Sequence, residues 1–324
     1  MKETSQISIL FFGTSEFAVP SLNALAEHTF GVIGVVTTPD EPAGRGQELA
    51  PPPIKVVADA LGIPVFQPVD LRDEQLQKEL PDGDLYVVAA YGKIIPSDML
   101  EKPRLGALNI HPSLLPRWRG PSPIQSVLLH GDTETGVSII KLDQLMDHGP
   151  IVAQRRLEIP ISKSSISKTT YAELHYTLVN LSAELLIDTL PIWINQEITP
   201  MPQDDTKATY SKILKKDDGR IDWKNPAEEI ERMVRAFTPW PGAWTMWPSR
   251  DKIYRIRIEE AEVTPDEPPR GSSGYVWNSD STSLLVKTGK GSLVIKRLTL
   301  EGKKPLDAAS FVRGYPQIFG SSLV

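Results

Sequence analysis

Cysteine is absent from all 324 residues, which excludes disulfides, thiolate nucleophiles and cysteine-based zinc sites. The absence also fits a reducing compartment, and the expected location is the cytoplasm. Histidine is scarce, with five copies, so imidazole chemistry has few candidates. Long apolar runs are missing too: none approaches the roughly 18 residues of a membrane span. The first residues, Met1–Gln6, are polar and include an acid, and the apolar stretch behind them is too short for a secretory signal. The expectation is a chain without membrane association.

Charge is moderately lacking on the positive side, with a formal net charge of −6. The deficit is uneven. Residues 1–200 hold 15 Lys and Arg against 24 Asp and Glu, whereas residues 201–324 hold 20 against 17. Phosphate binding depends on local basic surface, so the second half can still accept a polyanion. Hydrophobic residues at 40% and charged residues at 23% are enough for ordinary cores. The length favours two domains.

Short apolar runs alternate with helical patterns through the first half. Strands are expected at Ile7–Phe12, Gly31–Thr37, Pro64–Gln67, Leu85–Ala90 and Ala107–His111, with helices from about Glu16, at Ile54–Leu61 and at Glu74–Leu80. This alternation predicts an α/β fold with a Rossmann-like, mostly parallel sheet covered on both faces. Gly136–Leu142 and Ile151–Ile159 read as an antiparallel extension, and Thr169–Leu190 as a closing helix. The domains are expected at residues 1–190 and 210–324, joined by a proline-rich extended linker at 191–209. Beyond the linker, an amphipathic helix at Pro226–Phe237 precedes short strands at Ile253–Glu260, Gly274–Trp277, Ser283–Val286 and Ser292–Leu298. That pattern suits a small β-barrel, an OB-like barrel being one candidate. Pro265–Gly274 reads as a flexible loop.

Gly13-Thr14-Ser15-Glu16 sits where a dinucleotide-binding fingerprint would, but lacks its second and third glycines. It reads as a capped strand-to-helix turn. The chemistry points instead to Asn109 and His111. Two apart on a strand, they leave the same face, and Pro112 ends the strand at once. This puts the pair at the carboxyl edge of the sheet, where open α/β folds bind ligands. An amide beside an imidazole can donate two hydrogen bonds to one developing oxyanion. Asp147, in a tight turn closed by Gly149, could orient such an imidazole or simply shape the turn.

Several segments in order carry a wider likeness: Phe12–Pro20, Pro42–Gly46 with Pro51-Pro52-Pro53, Ala89–Pro96, Asn109–Gly120, Asp218–Trp223 and Arg235–Ala243. On these the chain resembles the methionyl-tRNA formyltransferases, from near the first strand almost to the C-terminus. The resemblance implies that Asn109, His111 and Asp147 are catalytic. It implies that Ser113, Leu114, Leu115 and Pro116, with Tyr91, Gly92, Ile94 and Ile95, contact a folate. The implied formyl donor is 10-formyltetrahydrofolate, with no metal, and the implied acceptor is initiator methionyl-tRNA. Arg45 matches an arginine that reaches the tRNA acceptor end, and Lys212, Lys215 and Arg220 are candidate phosphate contacts. The stretch Asp143-Gln144-Leu145-Met146-Asp147 departs from the usual pattern, which more often has an acid or glycine in the middle. A sugar-nucleotide formyltransferase or a 10-formyltetrahydrofolate hydrolase are the competing enzyme classes. The loop around Arg45 argues against the first, and the basic C-terminal half against the second. A monomer is expected, because no long apolar face is evident.

Overall fold

The apolar runs SILFFG, GVIGVV and LYVVA form β1 (Ser8–Gly13), β2 (Gly31–Val36) and the central strand of the sheet, Leu85–Ala89. The structure is a computed structural model and describes residues 7–28, 30–43, 48–160, 168–249, 252–268, 271–279 and 283–324. The chain divides into two units, neither a continuous stretch. One comprises Met1–Pro123, Glu134–Glu158 and His175–Ser211, and the other Ile124–Thr133, Ile159–Leu174 and Lys212–Val324.

In the first unit the remaining strands are β3 (Glu41–Ala43), β4 (Glu48–Ala50), β5 (Val65–Phe66), β6 (the Leu85–Ala89 strand), β7 (Ala107–His111), β8 (Glu134–Lys141) and β9 (Ile151–Glu158). A seven-stranded sheet runs in the order β5-β2-β1-β6-β7-β8-β9. The first five strands are parallel, and β8 and β9 are antiparallel. Every residue of β6 is buried, as expected for a strand covered on both faces. The Phe12 ring packs against Tyr86 at 5.2 Å and edge-on to Tyr91 at 5.6 Å. This is the expected Rossmann-like sheet with its antiparallel extension.

Two local features differ from the sequence reading. The loop around Arg45 is flanked by the antiparallel pair β3–β4, whose three-residue strands are too short to show periodicity. The helix expected to stop at Leu190 runs from Tyr171 to Ile194. Pro191 lies in its last turn, where the missing N–H deprives only one carbonyl. Among the described residues this helix is the one long and apolar enough to cross a membrane by length and composition. Its buried positions Leu178, Ser182, Leu185, Leu186, Thr189 and Leu190 recur on one stripe. Its other face carries Glu184 and Asp188, which pair with Arg155 of β9. That is the pattern of a helix packed on a sheet.

The second unit contains the helix Ala227–Phe237 and β10 (Ala243–Pro248), β11 (Ile253–Thr264), β12 (Val276–Trp277), β13 (Leu284–Lys287), β14 (Ser292–Leu300) and β15 (Leu306–Asp307). The order β10-β11-β14-β13-β12, with β15 on β14, is antiparallel throughout. Register shifts between Ile258 and Ala261 bend the 12-residue strand β11, and bulges of this kind curve a sheet. The result is a half-barrel around Trp247, Ile256, Ile258, Leu293 and Phe311. The sequence reading missed β10, although Ala243, Thr245 and Trp247 alternate inward. Prolines at both ends disguise it.

Candidate active site

Strand β7 delivers Asn109 and His111 to the carboxyl edge of the sheet, opposite Ile140 and Ser138 of β8. The reversal between β8 and β9 carries Asp147 back to them. Asn109 Nδ2 lies 3.4 Å from Asp147 Oδ1, and His111 Nδ1 lies 3.6 Å from the same oxygen. The other carboxylate oxygen is differently engaged: the main-chain N–H of Gly120 donates to Oδ2 at 2.7 Å. One oxygen is therefore anchored, and the other faces two loosely held side chains. His111 is 5% exposed, and its Nε2 is 2.9 Å from the carbonyl of Trp118. A carbonyl only accepts, so Nε2 carries the proton and Nδ1 is the nitrogen presented to Asp147.

The backbone around this cluster is unusual. Four non-glycine residues have positive φ among the described residues: Ala90 at 46°, Trp118 at 60°, Asp147 at 50° and Gln196 at 59°. Trp118 and Asp147 belong to the two segments that meet at the cluster, and Ala90 directly follows β6, the strand beside β7. Left-handed non-glycine residues cost free energy and persist where the surroundings impose them. Here the surroundings are polar. Gln203 Nε2 donates to the carbonyls of both Asp147 and Gly149 at 2.8 Å. The guanidinium of Arg119, 2% exposed, donates to Gln203 Oε1 and, at 2.7 Å, to Asp205. Burial works against its charge, but the bonds to Asp205 and Tyr210 outweigh this and hold Arg119 above the ordinary arginine value. Gly149 closes the turn because a Cβ there would collide with the main-chain oxygen of Lys141.

Residues 5–180 match the formyl transferase family, and residues 213–316 match the formyl transferase C-terminal domain. The chain belongs to the formyl transferase family. It is 42% identical over 308 residues to the methionyl-tRNA formyltransferase of Chloroflexus aggregans, covering 94% of this chain and 96% of that one. With the methionyl-tRNA formyltransferase of Myxococcus xanthus it shares 41% over 319 residues, 98% of each chain. Among solved structures, an N-formyltransferase from Helicobacter canadensis, crystallised with folinic acid and dTDP-3-aminofucose, superposes with a TM-score of 0.63. That pair is 19% identical, covering 89% of this chain and 98% of the other. HypX from Aquifex aeolicus in complex with tetrahydrofolic acid is 18% identical, with a TM-score of 0.60, covering 95% of this chain and 47% of that one. At such identities these two show the fold alone.

The other expected site residues fall into three groups. The 113–116 loop is a buried brace: Ser113 Oγ donates to Arg117 O, Leu115 N donates to Ser138 Oγ, and Gln154 reaches Leu115 O. Leu114 lies over Gly136. Around residues 91–95, Tyr91 is 2% exposed in the core and its pKa is pushed up to about 12 by burial. Gly92 has φ 78°, Ile94 is exposed, and Ile95 packs with Leu100 and Leu142 on the core. A cavity of about 640 Å³ opens next to these segments, lined by Leu100, Arg104, Lys141, Leu142, Gln144 and Trp193 among others. None of the eight expected folate residues lines it directly. Its walls are mixed, with Leu100, Leu142 and Trp193 beside the charged Arg104 and Lys141.

In the second unit, Lys212 is paired with Asp218, and Lys215 and Arg220 are exposed. Arg220 lies 6.0 Å from the Trp244 ring, which Arg255 covers at 3.9 Å. Arg45 lies outside the described residues.

Proposed function

We propose that this formyltransferase moves the formyl group of 10-formyltetrahydrofolate onto the α-amino group of initiator methionyl-tRNA, giving N-formylmethionyl-tRNA for translation initiation in the cytoplasm. The observation that carries the chemistry is the convergence of Asn109, His111 and Asp147 Oδ1 at the sheet edge. The acceptor is supported by relatives named methionyl-tRNA formyltransferase at 41–44% identity along nearly the whole chain. Sugar formyltransferases match at 18–19% identity or so and support only the fold.

The donor supplies a formyl carbon already activated by its attachment to nitrogen. As an amine attacks that carbon, negative charge develops on the formyl oxygen. Asn109 Nδ2 and a protonated His111 Nδ1 are the donors free to meet it, because their contacts to Asp147 are long. Catalytic hydrogen bonds are often loose before substrate arrives. Asp147 Oδ1 then takes up the proton lost by the amine and passes it to N10 as the tetrahedral intermediate collapses and the C–N10 bond breaks, releasing tetrahydrofolate, while Oδ2 stays fixed on Gly120. Each oxyanion donor contributes about 2.7–4 kcal/mol of transition-state stabilisation. The 113–116 loop, tied to Ser138 and Gln154, would brace the turn that follows His111.

The decisive experiment offers labelled 10-formyltetrahydrofolate with initiator methionyl-tRNA, uncharged tRNA and an amino-sugar nucleotide in parallel. Label on methionyl-tRNA alone is the expected result. Label on the sugar, or formate release regardless of acceptor, overturns the assignment of the acceptor.

A further inference from the structure

Gln203 lies in a polar, proline-containing stretch that the sequence reads as linker, yet its amide has four partners within hydrogen-bonding reach. Nε2 donates to Asp147 O and Gly149 O, both at 2.8 Å, and Oε1 accepts from Arg119 Nε at 3.1 Å and Nη2 at 2.9 Å. The orientation of the amide is forced. The carbonyls can only accept and the guanidinium can only donate, so a flipped amide would face four mismatches. The bonded carbonyls bracket a turn in which Asp147 is held at φ 50°. Aspartate tolerates that region better than most residues, but the conformation still costs free energy that fixed contacts offset.

The brace reaches the reacting groups by a second route. Arg119 is the residue between Trp118, whose carbonyl holds His111 Nε2, and Gly120, whose N–H holds Asp147 Oδ2. Its own main chain is tied on both sides: Arg119 N donates to Thr209 O at 2.9 Å, and Ser211 N donates to Arg119 O at 2.7 Å. One buried guanidinium and one amide thus join the Trp118–Gly120 segment to the Asp147 turn. We propose that Gln203, braced by Arg119, is a positioning residue that fixes the main chain of Asp147 and thereby sets the reach of its Oδ1 to His111 and Asn109. Gln203 touches no reacting atom and acts through Asp147. The proposal rests on the reading of Asn109, His111 and Asp147 as the catalytic groups.

Displacement of a catalytic group by about 1 Å costs on the order of 10²-fold in rate. Gln203→Met keeps the length of the side chain and removes both donors. Gln203→Glu keeps the volume and sets a carboxylate against Arg119, but that carboxylate would also face two carbonyl oxygens. The test measures kcat, KM for each substrate and Tm of the full-length chain for both variants. It repeats the rate measurement with Gln203→Met in an Asp147→Asn background. In each folded variant kcat is expected to fall about 10²-fold, with both KM values within about two-fold of wild type. The loss should vanish in the Asp147→Asn background, because residues that act through one group are not additive.

A folded variant with wild-type kcat would overturn the proposal. So would a loss of the same size in the presence and absence of the Asp147 carboxylate, since a general structural defect does not depend on that group. Asp147→Asn alone separates the two ideas. If it is fully active, the catalytic reading itself falls. If it is crippled while Gln203→Met is not, only the positioning role falls.

Discussion

His111 donates from Nε2 to the main-chain carbonyl of Trp118 at 2.9 Å, which leaves Nδ1 as the nitrogen facing Asp147. The neutral ring is accordingly expected as the Nε2–H tautomer. Nitrogen-15 NMR of the histidine side chains at alkaline pH reads this directly. A neutral ring protonated on Nδ1 would mean that the Trp118 contact is broken in solution, and with it the route by which the Trp118–Gly120 segment orients the imidazole.

Asp147→Asn tests the chemistry with little change in shape. An asparagine oxygen can still accept from Gly120 N, so the turn should persist and both KM values should stay close to wild type. The amide cannot accept a proton from the attacking amine. General base catalysis contributes about 10²–10⁴-fold, and kcat should fall within that range. A near-normal kcat in steady-state assays removes Asp147 from the mechanism.

How much of this was legible in the sequence differs by element. The parallel strands were, because LYVVA and ALNIH are continuous apolar or edge-terminated runs with few alternatives. The pair Asn109 and His111 was legible from its spacing and from Pro112. Gln203 and Arg119 were not. Both act across gaps of more than fifty residues, Gln203 on the Asp147 turn and Arg119 on Asp205, Gln203 and Tyr210. Nothing in a one-dimensional pattern marks a glutamine in a polar stretch as the one that meets two carbonyls. The pair β3–β4 escaped for a different reason: three residues per strand give no period to read.

His148 gives the turn a pH dependence. Its Nδ1 bonds Asp143 Oδ2 at 2.6 Å and its Nε2 lies 3.4 Å from Asp205, so its pKa is raised above the ordinary 6.5, chiefly by the bond to Asp143. A raised folded value means that protonation favours the folded state. The contribution is complete below the ordinary value and is lost as pH rises through the folded one. The Tm difference between wild type and His148→Gln should therefore be largest in mild acid and shrink as pH rises above 6.5. The side chain is 35% exposed, so a small effect is expected. A difference that grows with pH would contradict the assignment.

Tyr91 was expected to touch the folate, but its hydroxyl is buried and meets no partner among the described residues. An unpartnered buried hydroxyl costs about 1–3 kcal/mol, and phenylalanine fills the same space without it. Tyr91→Phe should leave KM for the donor unchanged and raise stability by about 1 kcal/mol in urea melts. A higher KM for the donor would instead show that the hydroxyl finds its partner in the bound folate.

Gly149→Ala tests whether the backbone of the turn, rather than any side chain, places Asp147. A Cβ at this position meets the main-chain oxygen of Lys141, at the end of β8, and neither backbone can give way alone. Lys141 N is held by Pro150 O at 3.0 Å, and Gly149 O is held by Gln203. Relief must come from shifting the whole 147–150 segment away from β8, which breaks the bonds that keep Asp147 Oδ1 near His111. Overpacking of this kind costs about 1–3 kcal/mol, so Tm should drop measurably while the chain still folds. The same shift should lower kcat by at least the loss seen in Gln203→Met, because both carbonyl anchors move together. A variant that loses stability but keeps kcat would show that Asp147 follows its side-chain partners, Gly120 and Asn109, and not the main chain of the turn.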